Sequence, residues 1–243
     1  MNRSDERHAM TEHPAASDDS TTPAVAVSAG RALLERLARL GIEFVFANSG
    51  TDFPPIIEGL AEATAHGAPV PRVIVVPHEH IAVGMAHGHY LATGRPAAVI
   101  VHTNVGLANS AIGAINAATD RVPMLLMSGR TPTVEAGRFG ARTVPIGWGQ
   151  EMRDQAALVR EACKWEYELR FPEQMPSILD RALAIAMSTP TGPVYLSLPR
   201  EVLCEPIAAD LVAGPASIAP ATIEAAPGPS PARPGCSPTR NDR

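Results

Sequence analysis

The chain is predicted to be α/β: a single three-layer domain with a six-stranded, mostly parallel sheet and helices on both faces, between disordered N- and C-terminal tails. Three observations predict this. Short aliphatic runs of strand length alternate with helix-length stretches, the pattern that right-handed crossovers between parallel strands produce. Gly and Pro fall at the joints between these runs and seldom inside them. A polar lead and a Pro-, Ala- and Gly-rich end flank the regular part, and neither can bury enough apolar surface to order itself.

The elements follow in order. Ser28 can cap a helix running to Leu40, with Gly41 as its stop. A strand is expected over 43–47, followed by the loop 48–51. Pro54 and Pro55 suit the first turn of a helix ending near Ala65. Residues 72–76 (RVIVV) form a short β-branched strand stopped by Pro77. Residues 81–93 then read as a helix closed by Gly94 at C′. Beyond it come a strand at 97–101, a helix from about 106 to 119 and a strand at 123–127. A loop spans 128–149, and a strand (163–168), a helix (172–187) and a last strand (194–198) complete the sheet. The domain boundaries expected are a disordered lead over 1–26, one folded unit over 27–205, and a disordered tail over 206–243.

Composition narrows the function. The 243 residues suffice for one core plus tails, and a 45% apolar but only 4% aromatic content points to a core of Ala, Val, Leu and Ile. A net charge of −5 without a basic block argues against a nucleic-acid surface. No apolar run reaches the roughly 20 residues a membrane helix needs. The opening MNRSDERHAMTEH carries acids and does not look like a targeting peptide. The three cysteines are scattered, which fits neither a disulfide framework nor a zinc spacing. A cytoplasmic location is expected.

The chemistry concentrates at Pro77-His78-Glu79-His80. Glu79 stands at the carboxyl end of a strand and the amino end of a helix, the edge where open α/β sheets bind ligands. A carboxylate between apolar segments is costly to bury without a partner, so Glu79 is a candidate for catalysis. Three further loops reach the same edge by topology: 48–51, 102–106 and 128–130. The histidines at 78, 80, 87 and 89 do not fit a metal site. Residues two apart on a helix point to nearly opposite faces, and His80 and His87 lie two turns apart, roughly 10 Å. No metal ligands are expected; packed or surface histidines are. Asp52, Glu58 and Glu62 read as a solvated helix face. Dinucleotide, Walker and nucleophile-elbow motifs are absent from the sequence.

Five strings, in this order, carry a resemblance to a known family: GRALLERLARLGIEFVFANSG (30–50), VVPHEHIAVGMAHGHYLATGRPAAV (75–99), GLANSAIGAINAATDRVPMLLMSGR (106–130), GWGQE (147–151) and TGPVYLSLPREV (191–202). Over about 27–203 the chain resembles the N-terminal, aminopyrimidine-binding domain of thiamine diphosphate enzymes, the acetolactate synthase, pyruvate oxidase and benzoylformate decarboxylase group. The resemblance implies that Glu79 is the catalytic carboxylate that contacts the cofactor's aminopyrimidine and favours its 4′-imino tautomer, which takes the proton from C2. It also implies cofactor-binding roles for Gly50, whose backbone would approach the ring, and Asn109, and a substrate-side role for Gln150. Two stretches depart from the family pattern. His102-Thr103-Asn104-Val105-Gly106 replaces the frequent Thr-Ser-Gly-Pro-Gly, and Gly149 replaces a common phenylalanine.

Such enzymes continue through a middle domain and a diphosphate-binding domain carrying a Gly-Asp-Gly magnesium motif, which does not occur in this sequence. The resemblance therefore implies thiamine diphosphate as cofactor, with magnesium held by a partner domain, and no FAD. The expected partners are a second copy of the chain or a diphosphate-domain subunit, with a small 2-oxo acid as substrate. Three functions are open on these residues. The chain could be the pyrimidine-binding domain of an acetolactate-synthase-like decarboxylase or carboligase. It could be the α subunit of a split 2-oxo-acid decarboxylase of the sulfopyruvate or phosphonopyruvate type. It could be an inactive truncated dimerisation module.

Overall fold

The computed structural model describes residues 26–142 and 150–223. The first strand, β1 (Ala26–Ser28), leads directly into α1 (Ala29–Arg39). Ser28 caps this helix by accepting a hydrogen bond from the Arg31 amide at 3.1 Å, as its residue type predicts. β2 (Phe44–Asn48), α2 (Pro54–Ala65), β3 (Arg72–Val75), α3 (Glu79–Thr93), β4 (Ala98–Val101), α4 (Thr103–Thr119) and β5 (Leu125–Arg130) follow. A 3-10 turn over Ala156–Leu158 precedes β6 (Glu166–Glu168). After a second 3-10 turn come α5 (Met175–Met187), β7 (Val194–Pro199), α6 (Arg200–Leu203), β8 (Pro206–Ala208) and α7 (Ala209–Ala213).

Six strands form one sheet in the order β3-β2-β4-β5-β7-β6, and every pair in it is parallel. This is the expected fold, with parallel pairing throughout. A parallel sheet must be covered on both faces, so its strands are nearly continuous apolar runs. Alternation along the strands divides them between two cores. Val45, Ala47, Ile100, Leu125, Met127 and Leu196 pack towards α1 and α5. Phe46, Val99, Val101, Leu126 and Tyr195 pack towards α3 and α4. Leu33, Leu34 and Leu37 of α1 are fully buried, each worth about 1.5–3 kcal/mol. This burial, more than helix propensity, fixes α1 on the sheet.

Two helices begin earlier than the sequence pattern suggests. α3 starts at Glu79, capped by the His78 side chain, and ends at Gly94, which adopts the left-handed conformation at φ 71°. α4 starts at Thr103, because the Gly106 amide already donates to the His102 carbonyl at 2.7 Å.

The boundary expected at 205 is corrected. β8 pairs antiparallel with β1, and Ile207 and Val212 bury against Val27 and Ala32. Beneath them the buried Arg36 guanidinium makes two bonds to Asp180, at 2.8 and 2.7 Å. It also donates to the carbonyls of Val212, Gly214 and Pro215. Asp180 in turn accepts from the amide and hydroxyl of Ser217. A Pro- and Ala-rich composition is thus overridden by one buried ion pair that collects the backbone groups of the following segment. The folded unit includes β1 and extends at least to Ala221, whose amide donates to Ser188 Oγ and whose carbonyl accepts from the Thr189 amide. The rest of the lead and tail, together with Gly147 and Gly149, lies outside the described residues.

Candidate active site

Glu79 opens α3 at the carboxyl edge of the sheet, next to the ends of β3 and β2. Its carboxylate is 9% exposed. Oε2 accepts a hydrogen bond from Asn109 Nδ2 at 3.0 Å, and His78 Nδ1 lies 3.9 Å from the same oxygen. Oε1 has no hydrogen bond among the described residues and faces Gly106, where a Cβ would stand 3.3 Å from it. The absent side chain at 106 keeps the approach to Oε1 open. Glu79 and Asn109, singled out separately in the sequence, therefore form one unit, with the amide holding one oxygen and leaving the other available.

The second half of the site was not legible as a site in the sequence. His102, at the end of β4, points its Nδ1 at Asp52 Oδ1, 2.5 Å away. Asp52 is 3% exposed, so its expected place on a solvated helix face is corrected: it precedes the helix and turns inward. Glu58 is exposed as expected, and Glu62 pairs with Arg31 at 2.9 Å. Asp52 holds the His102 imidazole above the ordinary pKa of 6.5, an effect that burial opposes and the charge of Glu79 reinforces. On the other side, His102 Nε2 lies 3.2 Å from the side-chain amide nitrogen of Gln150.

The surrounding backbone is shaped around this pair. A Cβ on Gly50 would come within 2.2 Å of the His102 ring. A Cβ on Gly129 would lie 1.5 Å from Asp52 Oδ2. Only glycine leaves room for the imidazole at the first position and for the carboxylate at the second. Thr103, beside the imidazole, has φ 39°, a left-handed conformation that costs a β-branched residue about 1–3 kcal/mol. The Thr103 amide is 3.4 Å from Asp52 Oδ2.

All four residues singled out in the sequence thus gather at one sheet edge. Glu79 bonds Asn109, while Gly50 and Gln150 flank His102. The signal that could have found Asp52 is its position two residues before Pro54, where the proline-started helix has not yet begun. The other histidines are dispersed. His78 and His80 are exposed, His87 pairs with Asp120 at 3.3 Å, and His89 packs edge-on to Phe44. Among the described residues no group of three or more His, Cys, Asp or Glu is arranged to hold a metal ion. No helix among them is long and apolar enough to cross a membrane.

The arrangement offers a buried carboxylate with one free oxygen and, at the same sheet edge, an imidazole whose charged form a buried acid favours. Together they can place a proton acceptor and a proton donor on opposite parts of one bound molecule.

The chain is also similar to known proteins. Residues 27–158 match the family model described as thiamine pyrophosphate enzyme, N-terminal TPP binding domain. A probable 2-ketoarginine decarboxylase of Pseudomonas aeruginosa is 31% identical over 190 residues, covering 77% of this chain and 32% of that protein. A benzoylformate decarboxylase of the same organism is 31% identical over 196 residues, covering 78% of this chain and 34% of that protein. The mitochondrial acetolactate synthase catalytic subunit of Saccharomyces cerevisiae is 26% identical over 187 residues, covering 77% and 25%. The chain thus spans about a third or less of the length of these relatives.

Proposed function

Because the chain belongs to the thiamine pyrophosphate enzyme family through its N-terminal cofactor-binding domain, we propose that it supplies the aminopyrimidine side of an active site for 2-oxo-acid decarboxylation or carboligation. The observation that carries this reading is the buried Glu79 with Oε2 held by Asn109 and Oε1 open beside Gly106. These residues fit the group: Glu79 would take the pyrimidine ring nitrogen, with Asn109 and the backbone at Gly50 beside the ring. When bound, thiamine diphosphate supplies the electron sink that lets a 2-oxo acid lose its carboxylate.

This chain's residues manage protons around that sink. Glu79 exchanges a proton at Oε1, and Asn109 fixes the carboxylate so that the free oxygen is the one presented. His102, whose charged form the bond to Asp52 favours, serves the substrate side as a donor, and Gln150 orients its Nε2. The substitution of His102 into the loop after β4 is what distinguishes this site from the usual acetolactate synthase pattern. It supports a decarboxylase-type proton donor at the reacting end.

The diphosphate and its magnesium would be held by a diphosphate-binding domain, either elsewhere in the same protein or in a separate subunit. α3 and α4 carry exposed apolar residues, among them Ile81, Met85, Ile112 and Ile115, beside the open Gly84 and Gly88. That face is suited to close contact with such a domain or a second copy. Ala86, on the same helix, is fully buried and packs inward.

The test is reconstitution. The chain is mixed with the diphosphate-binding portion of a related decarboxylase, thiamine diphosphate, magnesium and a panel of 2-oxo acids. Carbon dioxide release that requires both proteins is the expected result. If cofactor binds the mixture yet no 2-oxo acid is consumed, the inactive-module reading stands instead.

A further inference from the structure

His102 has two ring nitrogens, and the site treats them differently. Nδ1 faces Asp52 Oδ1 at 2.5 Å, while the other oxygen of that carboxylate lies 3.4 Å from the Thr103 amide. Both oxygens thus face donors, as an ionised carboxylate requires, and Nδ1 carries a hydrogen whatever the charge of the ring. Titration is therefore confined to Nε2. The charged imidazole has a hydrogen there, and the neutral one has a bare lone pair.

Beside Nε2 stands the Gln150 side-chain amide nitrogen, 3.2 Å away. An NH2 group can only donate, so this contact is a hydrogen bond to the neutral ring alone. Against the charged ring it would set two donors face to face and leave one of them unmet, which is costly. Asp52, from the loop before α2, and Glu79, at the start of α3, both favour the charged form. On the adjoining segments Glu151 is paired with Arg142 and Arg130 with Glu168, and Arg200 reaches the Thr51 carbonyl at 3.5 Å.

The backbone of Gln150 is pinned, and its amide is not. Thr131 Oγ1 donates to the Gln150 carbonyl at 3.0 Å, and Arg130 donates to the Met152 carbonyl at 3.2 Å. The half-buried side-chain amide has no hydrogen bond other than the one to His102 among the described residues. Rotation about its last bond exchanges NH2 for Oε1 at the same place, and that torsion is a broad, two-fold one.

We propose that Gln150 is a positioning residue whose amide reverses with the state of His102, offering Oε1 to the ring that holds the proton and NH2 to the ring that has released it. Oε1 keeps the charged ring aimed until a substrate atom displaces it and takes the proton. The electron pair stays on Nε2, and the reversed amide donates to that pair until the ring is protonated again. This use rests on the donor role proposed above for His102; the reversal itself needs neither cofactor nor substrate.

The test is nitrogen-15 NMR of the His102 ring in the whole chain across pH, for the parent, Gln150→Met and Gln150→Glu. Both variants keep the backbone carbonyl that Thr131 holds. A reversing amide serves both charge states, so Gln150→Met should move the His102 midpoint by less than about half a pH unit. Loss of the contact should still show in the Nε2 shift, which should differ from that of the parent in the neutral and in the charged ring alike. Gln150→Glu places a negative charge at the same position and should raise the midpoint by about 1 unit or more. A larger move in Gln150→Met would overturn the proposal: upward means an amide fixed with NH2 on Nε2, downward one fixed with Oε1 there. An Nε2 shift unchanged in either ring state, or a smaller rise in Gln150→Glu, would overturn it too. None of these measurements uses cofactor or a partner, so failure here is distinct from failure of the proposed function.

Discussion

Replacing Asp52 by Asn should destabilise the protein in a way that depends on pH. The carboxylate is 3% exposed and lies 2.5 Å from His102 Nδ1, so the pair is a charge-assisted hydrogen bond largely out of water. Such bonds contribute about 1.5–3 kcal/mol, against about 0.5–1.5 for a neutral one, so the amide should cost roughly 1–2 kcal/mol. The imidazole pKa is raised in the folded chain, chiefly by Asp52, which means that folding binds this proton more tightly than the unfolded state does. The contribution is therefore complete below the ordinary value of 6.5 and is lost as pH rises through the raised, folded value. Urea unfolding at pH 6 should show the full loss, equivalent to roughly 2–8 °C in melting temperature for a domain of this size. At pH 9 the difference should shrink to well under half. A loss of the same size at both pH values would refute the reasoning, because it would mean that the loss does not come from the charge on the imidazole.

Three other outcomes follow from the same structure. Gly129→Ala puts a Cβ onto Asp52 Oδ2, so it should cost about 1–3 kcal/mol and lower the His102 pKa seen by proton NMR. An unmoved titration would separate Asp52 from the imidazole's charge. Truncation after Glu205 removes Ile207 and Val212 and strips Arg36 of its carbonyl partners, so at least about 3 kcal/mol should be lost in chemical denaturation. Asp180→Ala leaves the Arg36 charge buried without its acid and should cost about 3–5 kcal/mol by the same assay; a loss below about 1 kcal/mol would show that the ion pair does not hold the segment.

Much of the fold could be read in the chain because its local signals agree with its packing. Ser28, the Pro54-Pro55 pair, Gly94 and the β-branched runs each state the same element that burial then selects. The segment after 205 failed for the opposite reason. Its composition says little, and its order comes from Arg36, 176 residues away from the Val212 carbonyl it binds. Glu79 was legible because a carboxylate at a strand–helix junction is conspicuous in one dimension. Asp52 was not, since turning inward rather than outward depends on space left by Gly129, on another strand. His102 lay in a loop that topology placed at the right edge, but its role needed the partner 50 residues earlier. Long-range pairs of this kind leave no periodic trace.

The central claim is that Glu79 moves a proton for the cofactor, and one substitution addresses it. Glu79→Gln retains the shape and the bond to Asn109 but removes the basic oxygen beside Gly106. In a complex reconstituted with a diphosphate-binding domain, exchange of the thiamine diphosphate C2 proton with deuterium should slow by roughly 10²–10⁴-fold, the usual loss of a general acid–base group. Exchange at the parent rate, with cofactor demonstrably bound, would contradict the account and leave Glu79 as a structural residue.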